Sequence, residues 1–80
     1  MIEILFFGRM ADLTQSRSRR YDGAAGGLFA LRDEIFAAAL SAGHIAPTDI
    51  RMSVNRVQTF EDQPLRDGDE VAFFPVFSGG

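Results

Sequence analysis

The 80-residue sequence has no cysteine, no tryptophan and no lysine. Without cysteine there is no disulfide scaffold, no thiolate metal site and no thiol nucleophile. Without lysine, all eight basic residues are arginine, and the α-amine of Met1 is the only amine expected to accept an acyl group. Long apolar runs are also missing. Nothing approaches membrane-spanning length, and no basic region precedes the apolar start, so a cytoplasmic protein with no membrane contact is expected. Basic charge is scarce. The net charge of −3 and the isoelectric point near 4.9 speak against nucleic acid as a partner. Histidine occurs once, at His44. With no Cys and no second His, it has no metal-site companions, and no metal is expected.

Hydrophobic residues make up 46% of the chain, and eight of them are Phe. That suffices for one small core, so residues 1–80 read as a single domain. From Met1 to Gly8 the alternation of Ile2, Ile4 and Phe6 with Glu3, Leu5 and Phe7 predicts a strand. Glu3 marks the second set as the outer face, which leaves Leu5 and Phe7 as large apolar groups outside. Residues 11–15 suggest a helical turn. Residues 16–22 suggest a polar edge strand closing a hairpin, and residues 22–27 a glycine-containing linker without the lysine of a phosphate-binding loop.

The spacing of Leu28, Leu31, Ile35, Ala38 and Ala42 predicts one long helix over 28–42, ended by Gly43. Phe29, Phe36 and Leu40 form a second stripe beside the first. Ile45, Pro47 and Ile50 are expected to fold back over it, since an exposed pair of Phe is a liability. A third strand is expected over 51–55 with Met52 and Val54 inward, then a turn over 55–58 and an irregular stretch over 60–65. Asp67-Gly68-Asp69 signals the turn before a last strand over 70–75. There Val71 and Phe73 face in, Ala72 and Phe74 face out, and Pro75 ends the ladder. Residues 76–80 are expected to be a flexible tail. One main helix on one face of a mixed sheet is an α+β layout whose outer face stays open.

Three segments together, Ile4-Leu-Phe-Phe-Gly8, Val54-Asn55 and Pro64-Leu-Arg-Asp-Gly-Asp-Glu-Val-Ala-Phe-Phe-Pro75 leading to Gly79-Gly80, resemble the β-grasp, ubiquitin-like sulfur carriers to which the small subunits of molybdopterin synthase belong. A terminal Gly-Gly alone is common in frayed ends. After Asp-Gly-Asp-Glu-Val-Ala-Phe-Phe-Pro it is distinctive. The sequence departs from the family where a second Pro and a small aliphatic residue usually follow Pro75, since Val76 and Phe77 stand there. It departs again at Gln58, where an apolar residue is usual.

The resemblance implies a mixed sheet with one helix and a chemistry centred on the Gly80 carboxylate. An ATP-dependent, ubiquitin-activating-like adenylyltransferase couples AMP to that carboxylate. Sulfur from a donor enzyme replaces the AMP, and the large catalytic subunit of molybdopterin synthase uses the resulting thiocarboxylate to build molybdopterin. Two small subunits flank a dimer of large ones. The chain would bind no cofactor, ATP being used by the activating enzyme, and would not turn over alone. Gly80 and Gly79 are then the reacting end, with Leu5, Phe7, Phe74, Pro75, Val76, Phe77 and Ser78 as partner contacts. Carriers for thiamine, another metabolite or tRNA thiolation remain open, as does a modifier attached to lysines of other proteins.

Overall fold

The computed structural model describes residues 1–22 and 26–76. The element order is β1 (Ile2–Phe6), α1 (Arg9–Thr14), β2 (Ser18–Tyr21), α2 (Leu28–Ile35), α3 (Ala37–Ser41), a 3₁₀ turn (Pro47–Asp49), β3 (Ile50–Val54), β4 (Val57–Thr59) and β5 (Glu70–Pro75). The five strands form one sheet in the order β2-β1-β5-β3-β4. Its centre is the parallel pair β1 and β5, with Phe6 opposite Phe73; the other pairings are antiparallel.

The core lies between this sheet and the helices. Ile2, Ile4 and Phe6 from β1, Val71 and Phe73 from β5, and Ile50 and Met52 from β3 are all buried. The period-2 alternation therefore places its faces as expected.

The helical segment departs from the expected single helix. Its ladder breaks at Phe36 (φ −99°, ψ 15°), separating α2 from α3. The break turns Phe36 into the core, where its ring sits edge-on to Phe6 (6.1 Å) and to Phe73 (5.2 Å). Phe6 and Phe73 stack at 6.0 Å. Burying a whole aromatic ring gains far more than burying two methyls, so Phe36 takes the buried position. Ala38 and Ala42, expected inside, are exposed. Phe36 is covered, as expected, but chiefly by the sheet's own Phe residues, with Ile45 and Ile50 in the same cluster.

Strand β4 is the other departure, because the stretch after Asn55 pairs with β3. Asn55 (φ 52°) and Arg56 (φ 70°) both take the left-handed conformation, the requirement of a two-residue primed hairpin turn. No helix among the described residues is long and apolar enough to cross a membrane.

Candidate functional site

The sheet has a covered face and an open one, and the open face is assembled by register. Opposite Leu5 on β1 stands Ala72 on β5; opposite Ala72 stands Ser53 on β3; opposite Ser53 stands Gln58 on β4. One step toward the carboxyl end of β5, Phe74 faces Arg51 on β3. Phe7 lies just past β1, and its amide donates to the Phe73 carbonyl at 3.0 Å. Phe7 and Phe74 therefore come together at the end of the sheet from which the chain leaves β5. Phe7 is 51% exposed and Val76 42%, while Leu5 and Phe74 are half-buried. Ala72 belongs to the open face yet is buried, because its single methyl lies below its larger neighbours on the adjoining strands.

Gly8 makes this corner. It has φ +54°, a conformation that side chains strain to adopt, and a Cβ there would lie 3.2 Å from Cγ of Pro75. The Phe7 and Gly8 carbonyls accept the first amides of α1, from Met10 and Ala11. The chain can thus reverse beside Pro75 without displacing it.

At its other end β5 is anchored by Asn55 and Asp69. Asn55 Nδ2 donates to Asp69 Oδ1 (3.0 Å), and the Glu70 amide donates to Asn55 Oδ1 (3.0 Å). The Arg66 amide donates to Asp69 Oδ2 at 2.8 Å. These bonds hold the Asp69 carboxyl below its ordinary range, the Arg66 amide most and Asn55 next. Asn55 thereby ties the β3–β4 turn to the start of β5 and supports the β3–β5 register that sets Arg51 opposite Phe74.

Leu5, Phe7, Phe74, Pro75 and Val76 thus share one end of the sheet. Phe77, Ser78, Gly79 and Gly80 lie outside the described residues. Sequence reasoning missed Arg51 and Phe60, which flank this end: the Arg51 guanidinium lies over the Phe60 ring, 5.2 Å from its centre. The signal was the Val57-Gln58-Thr59 alternation, hidden by a turn written Asn-Arg in place of Asn-Gly. His44 is exposed, and among the described residues no three His, Asp or Glu side chains gather as a metal site would require.

A five-stranded mixed sheet with a central parallel pair, helices on one face and the chain end leaving the central strand defines a β-grasp protein of the ubiquitin-like class. A model of the ThiS family matches residues 4–80. The chain is 35% identical over 82 aligned residues to the molybdopterin synthase sulfur carrier subunit of Escherichia coli strain K12, covering 100% of both chains. This chain belongs to the ThiS family. Among solved structures it is similar to SAMP1 from Haloferax volcanii, at 26% identity and a TM-score of 0.70, covering 99% of this chain and 98% of that one. It also shares the fold of a chain in the Helicobacter pylori complex of molybdopterin-converting factor subunits 1 and 2. That likeness has 22% identity and a TM-score of 0.64, covering 99% of this chain and 97% of that one.

Proposed function

We propose that this chain is the sulfur carrier of molybdenum cofactor biosynthesis, with the Gly80 carboxylate as the reacting group. The observation that carries this reading is the 35% identity to a sulfur carrier subunit over the full length of both chains. A carboxylate is a poor electrophile. An adenylyltransferase activates it with ATP, releasing pyrophosphate and leaving AMP as a good leaving group. Sulfur at the sulfide level, delivered by a donor enzyme, attacks the carbonyl and expels AMP, giving the thiocarboxylate. Gly80 presents no side chain to obstruct that attack, and Gly79 passes a narrow channel. From Val71 onward the sequence carries no charged side chain, so threading it into an enclosed site avoids a desolvation penalty.

The partner that accepts the sulfur is the large subunit of molybdopterin synthase. It docks on the Leu5, Phe7 and Phe74 end of the sheet, with Pro75, Val76, Phe77 and Ser78 leading the carboxylate inside. Contiguous exposed apolar groups of this kind mark binding surfaces. The carrier binds no cofactor itself and works in the cytoplasm as a single domain.

The test incubates the chain with adenylyltransferase, ATP and a sulfur donor and reads the intact mass. Exchange of one oxygen for sulfur at the C-terminus is expected. A chain that is adenylated but never gains sulfur would refute the carrier role. The SAMP1 likeness, at 26% identity, favours a second reading as a protein modifier. That reading requires heavier conjugates on a blot, which the carrier reading does not produce.

A further inference from the structure

A cleft of about 330 Å³ opens between α2 and the free flank of β3, beyond the point where β4 stops pairing. Its walls include Phe29, Pro47, Ile50 and Phe60, and two arginines, Arg32 and Arg51, line it as well. Each guanidinium lies over an aromatic ring: Arg32 is 4.4 Å from the centre of Phe29 and Arg51 is 5.2 Å from that of Phe60. A ring beneath a guanidinium orients it and leaves its in-plane N–H groups free for an acceptor.

Those N–H groups are short of acceptors. The Arg32 side chain retains only 13% of its exposure, and its one acid partner, Asp33, takes Nε at 2.9 Å. Arg51 has neither an ion pair nor a side-chain hydrogen bond among the described residues. No side-chain nitrogen described is sealed without a partner, so the remaining Arg32 donors keep access to solvent, and Arg32 lines the cleft. Two cations half-sunk among aromatic and aliphatic walls, in a chain of net charge −3, need a physical reason. A desolvated cation favours an anion strongly, and a guanidinium fork favours a carboxylate.

The geometry points to this cleft as a docking site for a carboxylate side chain, flanked by an aromatic residue, on a partner protein. The charge of the cleft selects the carboxylate, and the Phe29 and Phe60 walls select the aromatic neighbour. A protein fits better than a free metabolite because the apolar surface does not end at the cleft: Arg51 stands opposite Phe74 on the open face, which continues to Phe7. A partner seated on that face reaches the cleft with one further side chain. The inference extends the proposed docking face, but its test needs no sulfur chemistry.

The test titrates the isotopically labelled full-length chain with acetyl-Asp-Phe-amide, and separately with its neutral isostere acetyl-Asn-Phe-amide, following backbone amide shifts. Saturating shifts confined to residues 29–32, 47–52 and 59–60 are expected for the acidic peptide. Affinity should fall about tenfold for the isostere and for Arg51→Gln, the loss of one charge-assisted bond. Arg51→Gln keeps the polar stem of a half-buried side chain that has no ion pair among the described residues, and should melt with the parent; should it not, the isostere comparison decides alone. Equal shifts with both peptides, shifts scattered over the surface, or no shifts would overturn the proposal. So would a dimer in sedimentation that dissociates on Arg51→Gln, since the cleft would then be filled by a second copy.

Discussion

Asp69 shows how a single carboxylate sets the register of a strand. Its pKa is depressed by the Arg66 amide and by Asn55, so the charged form is favoured in the fold. That contribution to stability is complete above the ordinary Asp value of about 3.9 and is lost as pH falls through the lower folded value. Asp69→Asn should therefore lower the melting temperature at neutral pH and flatten the acid limb of the stability curve; an unchanged acid limb would contradict the assignment. Gly8 is the second telling residue. Gly8→Ala forces a side chain into φ +54° and toward Pro75, which should cost on the order of 1–3 kcal/mol in chemical denaturation. Both residues were read in sequence only as parts of motifs. Asp69 appeared as a turn signal, but its bond to Asn55 spans 14 residues and has no local signature.

Among the elements, the strands were legible because a half-buried strand writes its faces as an alternation. Ile2, Ile4, Phe6, Val71, Phe73 and Met52 were all assigned inward and all are buried. The helical segment was less legible. Its stripe is consistent with an unbroken helix, and only the aromatic cluster of Phe6 and Phe73 makes the break at Phe36 favourable. That cluster joins residues far apart in sequence. Phe36→Ala should cost roughly 3–5 kcal/mol, as emptying a buried aromatic site does. Phe73→Ala should cost as much, whereas Phe74→Ala, half-buried on the open face, should cost the isolated chain much less. Phe74→Ala should instead weaken binding to the proposed large-subunit partner by about 1–3 kcal/mol, as loss of an aromatic anchor does. Melting and titration of the three variants separate these effects. If Phe74→Ala unfolds the chain as badly as Phe73→Ala, the open face is not a docking surface.

At the scale of the whole molecule, the fold acts as a stand. A parallel central pair sends β5 out at one end of the sheet, beside Phe7 and the Gly8 corner, and the sequence beyond Pro75 carries no charged side chain. This architecture was legible because the family motif and the alternation agree. The cleft of Arg32 and Arg51 was not, because it joins a helix to a strand edge and no spacing announces it. The proposed carrier role puts the chemistry on the Gly80 carboxylate. The most direct test compares the full-length chain with a variant lacking Gly80, each incubated with adenylyltransferase, ATP and sulfur donor and weighed intact. The account predicts that the full chain exchanges one oxygen for sulfur, while the shortened chain stays folded by circular dichroism and gains none. Equal sulfur uptake by the shortened chain would contradict it.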